Sequence, residues 1–456
     1  MANRKKKRKL NFRGIIVLSL LVLMFCLLVF VAVDGREETP VSTGSNETQE
    51  ETRTQAPVSS SSVPAVTEKK AVSTAALGVV GDILIHEKVY LAAEAAGGGE
   101  YDFTENYEHI TKYFSKYDYT VANLEVTLGG EDPVVGSYPN AYPSFNSPDS
   151  VVDALKGAGV DLLLTANNHS YDTRAPGLLR TIQVIREKGL ENLGTRETTE
   201  ESFYSVKNIS GIKLGMACFT YCNSIGADGT KNLNGIPVSK ESSPLIAGFS
   251  YNRLDEFYAE AENVVSEMKA GGAEAIVFYL HWGNEYENSP NSYQKQIAQK
   301  LCEMGVDVII GGHPHVVQPF EVLTGENGHK TYCIYSVGNA LSNQRREEAG
   351  LHVYGGRTED GMIFGITFEK FSDGTVSVAE VDIQPLWVIR EERGGRYVYQ
   401  IIPLDLSVSD WKEFGLSAAM VSEARASYLR TMTTVGKGLN SAREMLGLPP
   451  RPTQVN

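Results

Sequence analysis

Residues 306–315 read VDVIIGGHPH. A short apolar run rich in β-branched residues is closed by two glycines, and a His-x-His pair follows. A run this short with such an ending reads as a strand buried on both faces. Polar residues just beyond its carboxyl end fall where open α/β sheets bind their ligands. Working outward, the figure recurs. Gly81-Asp82 follows the apolar run 77–80, and Asn123-Leu124-Glu125 follows 119–122. Asn167-Asn168-His169, with Asp172 close behind, follows 162–165, and His281-Trp282-Gly283 with Glu285 follows 275–280. Further strands are expected at 213–219 and 331–336, the last leading into Ser336, Gly338 and Asn339.

Between these runs lie amphipathic patterns with start and stop signals. Helices are expected from Ser147-Pro148 to about 156, over 175–188 before Gly189, over 254–269 before Gly271-Gly272, and over 292–304 before Gly305. Strand–helix alternation with nearly continuous apolar strands defines an α/β fold, with sheets covered by helices. Beyond about 340 the pattern changes. Runs 362–369 and 375–383 read as antiparallel strands joined by a turn at Ser372-Asp373-Gly374, and two helices are expected, over 409–429 and 437–445.

The chain has eight histidines, and four of them, His169, His281, His313 and His315, stand in the strand-end clusters. One such histidine alone is more often structural. Recurrence at successive strand ends points to a metal site, and imidazole with carboxylate suits Zn, Mn, Fe or Ni better than Ca or Mg. The net charge of −14 argues against nucleic acid as a partner. The five cysteines form no zinc-type spacing. They read as small buried hydrophobes, with a Cys218–Cys222 or Cys302–Cys333 disulfide left open.

At the amino terminus, residues 4–9 are all basic, and residues 14–33 (GIIVLSLLVLMFCLLVFVAV) carry no charge. Twenty helical residues span about 30 Å, the thickness of a bilayer core. The basic flank before and acidic flank after place residues 1–13 in the cytoplasm and the remainder outside. A cleaved signal peptide is the rival, against which stand the length of the run and the lack of an A-x-A site. Residues 34–73, rich in Ser, Thr, Glu and Pro, read as a disordered linker.

The series Gly-Asp, Asn-Leu-Glu, Asn-Asn-His, His-Trp-Gly and Gly-Gly-His-Pro-His resembles the CapA family of poly-gamma-glutamate capsule-synthesis proteins. That family is similar to the calcineurin-like metallophosphatases. The resemblance implies a four-layer α/β/β/α sandwich over 74–345, completed by β-rich residues 346–404 and followed by a helical extension, 405–456. It also implies a bacterial cell-membrane protein with two divalent metal ions, Mn, Fe or Zn. Carried across residue by residue, Asp82 and His315 would bind the first ion, and Asn168, His281 and His313 the second. Glu125 would bridge them, and His169 would serve as the catalytic acid. Asn123, Asn167, Asp172, Glu285, Ser336 and Asn339 would support the ligands or touch substrate. Two departures bear on the first ion. Leu84 stands where metallophosphatases have histidine, and the bridging position holds glutamate in place of aspartate. His86 would replace the missing ligand or lie on the surface, the second being the reading preferred.

The resemblance implies a part in synthesis or export of poly-gamma-glutamate or a related polymer, with membrane-bound synthase subunits as partners. The metal constellation by itself suggests an extracellular phosphoesterase acting on a phosphorylated substrate. A third reading is a non-catalytic scaffold that binds polymer.

Overall fold

The computed structural model describes residues 69–454. In chain order its strands are β1 (Ala71–Ile83), β2 (Tyr119–Leu124), β3 (Leu162–Leu164), β4 (Glu191–Leu193), β5 (Tyr204–Ile209) and β6 (Ile212–Tyr221). There follow β7 (Ser224–Ile225), β8 (Lys231–Leu233), β9 (Ile236–Pro237), β10 (Gly248–Phe249), β11 (Ala275–His281) and β12 (Val308–Gly312). The last are β13 (Phe320–Thr324), β14 (Lys330–Ile334), β15 (Asn339–Leu341), β16 (Asp360–Phe371), β17 (Val376–Arg393) and β18 (Arg396–Pro403).

Two large sheets organise them. The first runs β18-β17-β16-β1-β2-β3-β4, with β15 also on β1. The second runs β10-β6-β11-β12-β14-β13, with β5 also on β6. Strands β1 to β4 pair in parallel, as do β6, β11, β12 and β14, whereas β16 to β18 form an antiparallel meander. Every residue of β2 and β11 is buried, which is why these strands read as unbroken apolar runs.

Side chains from both sheets meet in one core, including Leu77 and Val79 of β1, Leu214 and Met216 of β6, and Val277 and Tyr279 of β11. The outer face of the first sheet packs on helices that include Glu87–Ala96 and Ser150–Ala158, through Val80, Val89, Val151 and Leu155. The outer face of the second packs on Leu254–Ala270 and Ser292–Met304, through Phe219, Phe278, Val265 and Leu301. The layer order is helix, sheet, sheet, helix. The helix Ser292–Met304 begins and ends where its signals lie. Asn291 and Gln294 form a reciprocal capping box, and Gly305 takes the left-handed conformation at φ 85°.

Two expectations need correction. The linker does not run to residue 73, because Ala71 and Ser73 already pair with Phe371 and Lys370 of β16. The two carboxyl-terminal helices are one, Ala418–Met445, preceded by a 3-10 segment at Ser409–Phe414. Cys218, Cys222, Cys302 and Cys333 are free and buried, in keeping with their reading as small buried hydrophobes, and neither of the disulfides left open is formed. The apolar run 14–33, with Cys26, lies outside the described residues. Among the described residues no helix is long and apolar enough to cross a membrane.

Candidate metal centre

Strand ends from both sheets converge on one buried cluster. From the first sheet, β1 brings Asp82, the chain just past β2 brings Glu125, and the segment after β3 brings Asn167, Asn168 and His169. From the second, β11 ends in His281, and His313 and His315 follow β12. A bulge interrupts the β1 ladder around Asp82, on both its β2 and β15 sides, a device that re-aims a side chain at a strand end. The motif glycines permit close backbone approach. A Cβ on Gly81 would lie 1.8 Å from the carbonyl oxygen of Gly338, and one on Gly311 would lie 1.9 Å from that of Tyr335. His313 and His315 sit at φ 92° and 56°, conformations that side chains other than glycine rarely adopt and that concentrate at functional sites.

Asp82 Oδ1 accepts from Asn123 Nδ2 at 2.7 Å, and Oδ2 accepts from the His313 backbone N–H at 3.1 Å. His315 Nδ1 stands 3.2 Å from Asp82 Oδ2 and 3.1 Å from Asn339 Oδ1. His281 Nε2 lies 2.7 Å from Asn168 Oδ1 and 3.2 Å from Glu125 Oε1. Three sets of potential ligand atoms lie within 4.8 Å of one another: Asp82, Glu125 and His315; Glu125, His281 and His313; and Glu285, His313 and His315. The first two share Glu125 and are fully buried, whereas Glu285 is exposed.

Does this cluster fit a metal? Glu125 Oε1 and His313 Nδ1 are buried and form no hydrogen bond, although ligand-type atoms surround them. Buried polar atoms normally find partners. Two buried ligand-type atoms without hydrogen bonds, set among carboxylate and imidazole groups, are what a cation would complete. The mixed carboxylate, amide and imidazole donors suit Mn, Fe or Zn. Electrostatics agree. Burial and the neighbouring His281 and His315 hold the His313 imidazole well below its ordinary value, so it is a neutral, ligand-competent ring. Burial opposes charge on His315 too, but Glu125 and Asp82 raise it to about 9. Burial works to raise Asp82, yet His315, His281 and Asn123 hold it below its usual range. The two carboxylates hold a protonated His315 where no cation neutralises them.

His169 stands beside this cluster. Its Nδ1 is 2.8 Å from Asp172 Oδ2, which also accepts the Phe145 backbone N–H at 2.7 Å. Burial opposes the imidazolium, but Asp172 raises the His169 pKa. Asn167 Oδ1 receives the His169 N–H, and its amide donates to Leu124 O at 2.9 Å and Asn123 Oδ1 at 3.3 Å. Asn123, Asn167 and Asp172 thus brace the ligands and His169. Asn339 braces His315. Ser336 is buried, and its Oγ accepts from the Gly338 N–H, a turn within its own loop.

Leu84 is buried in the apolar core beneath the helices and offers no ligand. His86 is neither a ligand in these sets nor a surface residue. It is half-buried, and its Nδ1 accepts from the Asn343 backbone N–H at 3.2 Å. Burial lowers its pKa to about 4. Two residues passed over in the sequence touch the site. Phe145 presents its ring to His169 at 4.8 Å, and Tyr221 lies 4.6 Å from His313, centroid to centroid. Tyr221 ends β6, whose terminus carries neither histidine nor carboxylate, which is why it escaped notice.

The family profile described as bacterial capsule synthesis protein PGA_cap matches residues 76–344. The chain is 28% identical over 301 residues to the capsule biosynthesis protein CapA of Bacillus anthracis, spanning 65% of this chain and 67% of that protein. It is 26% identical over 308 residues to the PGA biosynthesis protein CapA of Bacillus subtilis strain 168, spanning 67% and 70%. Among solved structures, the NAD nucleotidase of Haemophilus influenzae superposes with a TM-score of 0.42 at 12% identity, covering 83% of this chain and 66% of that one.

Proposed function

The chain belongs to the bacterial capsule-synthesis PGA_cap family, and from that premise we propose that it serves the making or export of an anionic capsule polymer as a metal-dependent phosphoesterase outside the cell. The fold is read as the calcineurin-like metallophosphatase sandwich. Residues 14–33 supply the membrane anchor and hold the domain beside membrane-bound synthase subunits. The observation that carries the enzymatic reading is the pair of buried ligand sets sharing Glu125.

Asp82, Glu125 and His315 would hold one divalent ion, and Glu125, Asn168, His281 and His313 a second. Such a pair supplies charge neutralisation for a bound phosphate and an activated water at neutral pH. The protein's own groups do the rest. Asp172 fixes the His169 ring through Nδ1, leaving Nε2 to deliver a proton to the departing alcohol oxygen. The P–O bond to that alcohol breaks, water contributes the new oxygen on phosphorus, and the His169 proton completes the alcohol. Asn123, at the end of β2 and hydrogen-bonded to both Asp82 and Asn167, ties together the ends of β1, β2 and β3.

A polymer-binding scaffold is the second reading, favoured by the burial of Leu84 where a further ligand would stand. One experiment separates them. Hydrolysis of phosphomonoesters and phosphodiesters by the full-length chain is measured with Mn, Fe, Zn or no metal, beside a folded His281→Ala variant. Metal-dependent turnover lost in the variant is expected. A folded wild-type protein without turnover under any metal would leave the scaffold.

A further inference from the structure

Beside His313 a groove of about 460 Å³ opens toward solvent, within the range of small-ligand sites. Its floor is a ladder of three aromatic rings. Tyr221 stacks on Tyr251 at 6.2 Å and 16°, and Tyr251 on Tyr293 at 4.8 Å and 28°. Tyr221 in turn leans on His313, so the ladder begins at the metal cluster and ends at Tyr293, which is 40% exposed. The walls carry the exposed amides of Asn223, Asn252 and Asn284. The Tyr251 hydroxyl is tied down by the Gly283 N–H at 2.8 Å, which fixes the middle ring.

The lining holds no lysine or arginine, and its one charged side chain is Glu285. A chain of carboxylates has nothing to pair with here and meets a like charge. A planar base sandwiched between rings needs about 3.5 Å on each face, or about 7 Å between its neighbours. The observed spacings leave no such gap. What remains is one-sided packing on an aromatic face with amides at the rim, which suits the C–H face and hydroxyls of a sugar. We propose that this groove is a sugar subsite, and that the substrate is a phosphate ester of a neutral hexose, held with its phosphate at the metal cluster and its ring on the tyrosines.

The proposal deepens the phosphoesterase reading and rests on it, and the test keeps the two apart. Saturation-transfer NMR is run on the full-length chain, metal-stripped and metal-loaded, with methyl hexosides, a nucleoside and a γ-glutamyl tripeptide as probes. The expected result is transfer to hexoside ring protons with or without metal, lost in Tyr293→Ala and kept in Tyr293→Phe. With metal, the preference for hexosyl phosphate over glycerol phosphate, as a ratio of kcat/KM, falls about tenfold in Tyr293→Ala. Transfer to the nucleoside or the tripeptide in place of hexosides overturns the sugar assignment, as does hexoside transfer indifferent to Tyr293. Hexoside binding without hydrolysis under any metal upholds the subsite and overturns the phosphoesterase reading. Hydrolysis without preference for a sugar does the reverse.

Discussion

At the scale of single residues, the site divides between groups that would hold ions and groups that hold those groups. Asp172 is of the second kind. Its Oδ2 bridges the His169 ring and the Phe145 backbone, and its other oxygen is buried without a partner. Asp172→Asn keeps the shape but offers an amide where His169 needs an acceptor. Activity is expected to fall about 10- to 100-fold, with metal content by elemental analysis unchanged, whereas His281→Ala loses metal. Most of these residues were legible in the sequence because carboxylate, amide and imidazole recur after apolar strands. The tyrosine ladder was not, since tyrosines at positions 221, 251 and 293 share no motif and meet only in the fold. His86 was misplaced for a related reason. Its environment is set by Asn343, distant in sequence, which follows the neighbouring strand β15 and donates its backbone N–H to the ring.

At the scale of elements, strand positions were readable because parallel strands buried on both faces leave unbroken apolar runs, as in β2 and β11. The carboxyl-terminal helix shows where such reading fails. Thr431, Thr433, Thr434, Gly436 and Gly438 look like a break between two helices, yet the helix continues through them. Gly438 is there for proximity, since a Cβ would stand 1.7 Å from the backbone oxygen of Phe320 in β13. Gly438→Ala is therefore expected to destabilise by about 1–3 kcal/mol despite alanine's better helix propensity, as read by chemical denaturation. The same helix is latched to β16. Ser427 Oγ and Arg430 Nη2 donate to Asp360 Oδ1 at 2.7 Å, and Arg430 Nε donates to Oδ2 at 2.6 Å. Burial raises the Asp360 pKa from 3.8 to about 6 against the pull of Arg430. A raised carboxyl pKa favours the fold most fully at low pH. This contribution is complete below pH 3.8 and is lost as pH climbs through about 6. The melting temperature of wild type relative to Asp360→Asn should accordingly decline across that window, and a flat difference would refute the coupling.

At the scale of the whole molecule, the closing helix seals the end of the core between the two sheets. Ala424, Tyr428, Met432, Val435, Leu439 and Ala442 all join that core, with Trp411 and Phe414 from the segment before. Large apolar side chains contribute about 1.5–3 kcal/mol each when buried, and a typical net stability is about 5–15 kcal/mol. Ending the chain after residue 405 should leave no cooperative melting transition and strong binding of a hydrophobic dye. A truncated chain that melts as wild type would show the extension to be an accessory. That the tail is helical was legible in the sequence; which strands it would seal was not, because they lie far away in the chain.

The backbone N–H of His313 bonds to the carboxylate of Asp82, 231 residues earlier, and this fixes an order of events in the life of each molecule. A nascent chain displays its carboxylates and amides first, on Asp82, Glu125 and Asn168, and acquires His281, His313 and His315 only after most of the domain has emerged. A stalled or clipped product ending before residue 281 would therefore carry the carboxylate and amide half of the candidate site and none of its three imidazoles. On the metal-centre reading, ion uptake would wait for the emergence of His315, so the two sheets would be tied through the site only late in synthesis.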